Sequence, residues 1–340
     1  MELIELFPYI LPACALICFI WLLIAALRAH QPADGTLEWI ERECSPAVFK
    51  VPEVTPTWKT VIMAIVCIII ALGLRICLGG FAFAPDALFD AAFFAIICLS
   101  AYLAAFFCFG RVFPAFVSFA VCAALGLFTG DVGSAAAALY IMFVFMALSR
   151  PLFSIAGGIF LGIAVYFSFG NAAFVVFGLL AAITALCASK KASHIVCFIL
   201  FEVLLPCAVY TGLCFVLDGK FIFPELSLSI AQPSYMVYAY AALAVIVFIF
   251  ALVFKSLAGV VIFEGIAVTI AAKILGLSDS VVTISLLPCL FASIVSVRGK
   301  KGHKASSIVL AVVFFAIIAL ELNKSLGFVE IADLTSIFYN

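Results

Sequence analysis

An all-α, polytopic integral membrane protein is the fold class this sequence predicts, and three observations predict it. Of 340 residues, 68% are hydrophobic and only 10% charged, far from the composition of a water-soluble domain. The mean hydropathy is +1.39. The apolar residues fall in long unbroken runs rather than in alternation, which reads as bilayer-spanning helices and not as barrel strands.

Cutting the chain at its polar breaks gives about twelve spans, in a range of roughly 10–13 for runs near the length a bilayer requires. They lie near residues 7–28, 60–80, 88–109, 112–129, 134–149, 151–169, 172–188, 195–217, 235–254, 257–276, 280–297 and 306–322. The least regular pair meets at Gly170-Asn171, where two short segments with a polar turn suit either a crossing hairpin or a re-entrant one. The N-terminus, Met1-Glu-Leu-Ile-Glu5, is acidic, and a long apolar run and Arg28 follow it, so a retained first helix is expected rather than a cleaved leader.

Orientation follows from the basic residues. With the loop after the first span placed in the cytoplasm, only Arg75, Lys220, Lys273 and Lys324 of the 17 Lys and Arg residues fall outside. That asymmetry is the positive-inside pattern, and it puts both termini outside a multi-pass cell-membrane protein. Three regions result: residues 1–59, a first helix with a cytoplasmic linker; 60–217, a transmembrane core; and 218–340, further helices with a short external tail. In the linker, Asp34, Leu37, Trp39 and Ile40 suit a short interfacial helix. The external stretch 218–234 is long enough to cover a cavity.

Charge and cysteine usage exclude some classes. A formal net charge of -1 supplies no basic face for nucleic acid, so none is expected as a partner. Most of the thirteen cysteines lie in apolar runs without CxxC spacing and read as small packing residues. His30, His194 and His303 all fall at cytoplasmic edges, which argues against a histidine metal site. Gly126-xxx-Gly130 and Gly158-xxx-Gly162 mark close helix approach.

Polar residues are costly at membrane depth, so they are the candidates for function. An outer group comprises Arg75, Asp86, Asp90 and Asp131, with Lys220, Glu225 and Lys273 on later segments. Asp86 and Asp90, four apart on one helix, share a face directed at Arg75. Such a set can act as a general base, a divalent-cation site or a phosphate clamp. Equally, Asp86 after Pro85 suits an N-cap, and Asp131 between glycines suits a turn. An inner pair comprises Glu202 and Glu264, each about 12–14 Å from its cytoplasmic helix end at 1.5 Å per residue. Two carboxyls at similar depth can meet and form a proton relay or ion site.

Read in order, residues 60–217 resemble the GT-C superfamily of membrane glycosyltransferases, the polyprenyl-phosphate-sugar-dependent group, as a divergent relative. The resemblance is carried by Ile68-Ile-Ile-Ala-Leu-Gly-Leu-Arg75 followed by Pro85-Asp86 and Asp90, by Phe128-Thr-Gly-Asp131-Val-Gly-Ser134, and by Ala156-Gly-Gly-Ile-Phe-Leu-Gly-Ile-Ala164 running into Phe167-Ser-Phe-Gly-Asn171. It implies a GT-C-like core and transfer of a sugar from a polyprenyl-phosphate donor, met at the outer membrane face, to a cell-envelope acceptor. Asp86 or Asp90 would then be the general base. Arg75 and Lys220 would neutralise the lipid phosphate, Asp131 and Lys273 would line the substrate site, and a divalent cation (Mg or Mn) would fit the scheme. The alternative is a transporter or flippase for a small or lipid-linked solute, working through Glu202 and Glu264.

Overall fold

A computed structural model describes residues 57–78, 85–109, 112–125, 131–148, 150–189, 192–223, 235–254, 257–275 and 277. The first span, most of the cytoplasmic linker, Gly126 and Gly130, all of 224–234 with Glu225, and the last two spans with the tail lie outside the described residues. What is described is 92% helical without a strand, so a barrel is excluded for this part. The elements are α1 (Trp58–Leu78), α2 (Pro85–Phe109), α3 (Val112–Leu125), α4 (Val132–Ala147), α5 (Ser154–Phe167), α6 (Ala173–Ser189), α7 (Ser193–Asp218), α8 (Tyr235–Phe254) and α9 (Leu257–Ile274). Short 3₁₀ turns, Pro151–Phe153 and Phe169–Ala172, lead into α5 and α6.

Four of these are long and apolar enough to cross a membrane: Trp58–Cys77, Pro85–Phe107, Phe169–Cys187 and Ser193–Asp218. The remaining apolar helices are shorter, among them Val132–Ala147 and Pro151–Phe167. Each helix is apolar on all sides, because the side that leaves the bundle meets lipid and not water. Hydropathy therefore does not separate inside from outside. In α4, Gly133-Ser-Ala-Ala-Ala-Ala138 and every residue on to Ala147 is buried, and small residues let α2, α5 and α6 close around it. The first crossing helix is 28% buried against 72% for the second, so among the described residues α1 is the less enclosed of the two. Ile62, Ile65, Ile69 and Leu74 form its outward face.

The α5/α7 contact is set by two glycines and one proline. Pro206 has no N–H for the Glu202 carbonyl four residues back, and the turn before it widens into a π-helix over Phe198–Leu204. Leu205 N–H reaches five residues back to Leu200 O, so the Phe201 carbonyl is left with neither donor. It presses on Gly158, where a Cβ would overlap it. One turn on, a Cβ at Gly162 would stand 2.7 Å from Val209 Cβ and 3.0 Å from Pro206 O. The Gly158-xxx-Gly162 spacing is thus a close-packing face, as the sequence indicates. A second π segment, Cys214–Asp218, ends α7, and Gly219 closes it at φ 68° in the left-handed region.

The turn at Gly170-Asn171 is held from within. Asn171 is buried, and its Nδ2 donates to Ala164 O at 2.8 Å, capping α5. Asp218 accepts from Tyr166 Oη at 2.8 Å, and Tyr210 Oη donates to Ile222 O at 2.8 Å. The first bond ties the far ends of α5 and α7 together, and the second folds the segment after Gly219 back on α7, where Phe221 meets Tyr210 and Phe223 edge to face.

Candidate functional site

The outer acidic group resolves into separate structural roles. Arg75 in the last turn of α1 grips Asp90 with both nitrogens, Nε to Oδ2 at 2.5 Å and Nη2 to Oδ1 at 3.2 Å. Its guanidinium also lies 5.6 Å from the Phe94 ring centre, a cation–π distance. The pair is part-exposed, at 24% and 36%, and it pins the end of α1 to the start of α2. Asp86 stands exposed in the first turn of α2. Asp131 caps α4, its Oδ1 accepting from Ser134 N at 2.7 Å and its Oδ2 from Ser134 Oγ at 2.6 Å. Lys220 is exposed just beyond Gly219. Lys273 lies in the last turn of α9, with its side chain outside what is described.

A different arrangement surrounds Glu202. It sits in the π segment of α7, 4% exposed, and its partners come from two neighbouring helices. Tyr140 of α4 places its Oη 3.0 Å from Glu202 Oε2 and 3.1 Å from Phe174 O. One hydroxyl proton therefore serves two acceptors. Ser154, at the first residue of α5 and itself buried, hydrogen-bonds the same carboxyl. Gly178 of α6 lies beneath the pair, where a Cβ would collide with both the Tyr140 hydroxyl and Glu202 Oε2. Only glycine lets α6 come so close.

This carboxyl opens on a small cleft of about 20 Å³ between α4, α5, α6 and α7. Ala147, Ala181, Ala182 and Ala185 form its narrow walls, with Pro151 and His194 toward one end of the bundle. The polar groups that line it are Ser154, His194 and Glu202, and no Lys or Arg does so among the described residues. A buried carboxyl held by hydroxyls alone, facing a cleft, is a group that can take up and give up a cation.

Glu264 forms a separate point. It is 8% exposed on α9 and accepts a hydrogen bond from Thr184 Oγ1 of α6, while its Oε2 has no hydrogen-bond partner. Both glutamates thus reach α6, Glu202 at Gly178 and Glu264 at Thr184. Six residues of helix separate those positions by about 9 Å and about 120° around the axis. The two carboxyls therefore meet one helix at different heights and on different faces of it.

The partners are what sequence reading missed. Tyr140 and Ser154 lie in apolar runs as ordinary polar residues, and Gly178 carries no pairing with a second glycine to mark it. The available signal was the proline at 206, four residues after a carboxyl, because it predicts a disturbed helix at the carboxyl. Among the described residues, no group of three or more His, Cys, Asp or Glu is placed to hold a metal. In comparisons with known proteins, no family model, curated protein or solved structure matches this chain.

Proposed function

We propose that this chain is a multi-pass transporter of a small solute, with Glu202 as the group that binds and releases the coupling proton. The single observation that supports it is the Glu202 carboxyl: buried in a π-helical turn, bonded by Tyr140 and Ser154, and facing a cleft lined by no lysine or arginine among the described residues. π turns concentrate at functional sites, and intramembrane carboxyls that face cavities mark ion and proton pathways. In this reading about twelve spans cross the cell membrane, both termini are external, and the His194 end of the bundle is cytoplasmic. Glu264, tied to the same α6, is the second carboxyl that senses the movement of that helix. The mechanism is alternation at α6. Protonated Glu202 no longer repels solute of like sign, and the Gly178 approach lets α6 slide on the Tyr140–Glu202 pair.

The test is solute-dependent proton movement in liposomes reconstituted with the full chain, screened over a panel of small solutes. Glu202→Gln keeps the hydrogen bonds and loses the titration. It is expected to abolish pH-dependent flux with the fold intact. Unaltered flux in Glu202→Gln combined with Glu264→Gln sinks the transport reading.

One observation keeps the GT-C-like transferase as a second reading: Asp86 is exposed one turn from the Arg75–Asp90 pair. Asp86 would take the proton of the acceptor hydroxyl, and a polyprenyl phosphate would have to displace Asp90 from Arg75. Sugar transfer from a labelled polyprenyl-phosphate donor, lost in Asp86→Asn, is the result that would establish it.

A further inference from the structure

We infer that His194 is the positioning group through which protons reach Glu202, and that the cleft between them is a proton half-channel opening at that end of the bundle. The inference rests on the proposed role of Glu202 and extends it to the path and the residue that serve it.

His194 and Glu202 are eight residues apart on α7. In a uniform α-helix that spacing leaves them about 80° apart around the axis. The π segment Phe198–Leu204 interrupts the regular winding between them, and both side chains line one cleft. His194 is buried at 7% exposure, beside Pro151 at the α5 entrance, where the adjoining Arg150 is exposed.

Among the described residues, His194 is the imidazole that lines the cleft with Glu202. Tyr140 is the titratable group that meets Glu202 from α4, Ser154 the polar group from α5, and Gly178 leaves α6 with none. On α7 itself Cys197 lies between the two residues and within electrostatic reach of Glu202. A cleft of about 20 Å³ has room for about one water, which would bridge imidazole and carboxyl. Imidazole is the side chain whose ordinary range suits transfer near neutrality. In the step itself the imidazolium N–H bond breaks and an O–H bond forms on Glu202. Neutral His194 then takes its next proton from water at the mouth, so charge and protons balance at every stage.

The experiment is a pH jump on the full chain in lipid, read by the infrared band of the protonated carboxyl, across about pH 5 to 8. Glu202→Gln is expected to remove a titrating band and so assigns it. His194→Gln is expected to slow the appearance of that band by about 10²-fold while leaving its titration midpoint and the thermal melt unchanged. Added imidazole is expected to restore the rate, which a structural role for His194 would not allow. An unchanged rate in His194→Gln overturns the relay and leaves the transport reading standing. If Glu202→Gln removes no band, the carboxyl does not titrate, and both ideas fall together.

Discussion

The outer and inner polar groups of this protein are built from the same residue types and solve opposite problems. At the outer group Arg75 and Asp90 meet as opposite charges, and Asp131 is fixed as a helix cap by the N–H and hydroxyl of Ser134. These contacts stay near the surface, where an ion pair contributes about 1 kcal/mol or less. At the inner group Glu202 and Glu264 are buried and held by hydroxyls of Tyr140, Ser154 and Thr184. No fixed positive charge lines the Glu202 cleft among the described residues. A matched charge fastens two helices, whereas a buried carboxyl supported only by neutral donors stays responsive to a proton or cation.

That contrast can be broken or sharpened by substitution, beginning where the largest effect is expected. Gly178→Val would drive a branched side chain into Tyr140 and Glu202. Overpacking of this kind costs about 1–3 kcal/mol or more, so both the melting temperature in detergent and flux are expected to fall sharply. A normally stable and active Gly178→Val would show that α6 does not approach the pair as described.

Tyr140→Phe removes one hydroxyl and leaves the ring in place. A lost hydrogen bond to a buried acceptor costs about 1–3 kcal/mol, and the pH dependence of flux is expected to shift because Glu202 loses a donor. A melt and a flux profile both identical to wild type would remove Tyr140 from the site.

Asp131→Ala deletes an N-cap and is expected to cost about 1 kcal/mol with no change in flux. Asp131→Asn should recover most of that loss, since Asn caps about as well as Asp. A large flux defect in Asp131→Asn with unchanged stability would mean the outer group has a chemical role.

The smallest effect is expected at Asp86, exposed in the first turn of α2. Asp86→Asn is expected to be nearly silent in both stability and flux. It is also the sharpest divide between the two functional readings. General-base removal lowers rate by about 10²–10⁴-fold, so a loss of that size in sugar transfer would move the function to the Asp86 end of the bundle.

Much of the helical order was readable in advance. Asp86 and Asp90 were expected to share a face directed at Arg75; Asp90 meets it, while Asp86 stands exposed one turn away. Asp131 between glycines suited a turn, and it is the N-cap of helix α4. The two glutamates were found by depth and by the cost of burying charge. Their separation around α6 was not visible, since it depends on which face of α6 each neighbour packs against. Lys273 and the termini fall outside what the described residues can place.

By itself, the sequence determined a helical membrane chain, its polar ends and its buried carboxyls, because the energy of placing backbone and charge in hydrocarbon is large and depends on residue type alone. The tertiary structure alone decided the partners. Hydrophobic runs are apolar all round, so nothing in their periodicity states that Tyr140 on α4, Ser154 on α5 and Gly178 on α6 converge on Glu202. That convergence follows from close approach at Gly158, Gly162 and Gly178 and from the π turn before Pro206. Such packing depends on the shapes of several helices at once, and no single stretch of sequence contains it.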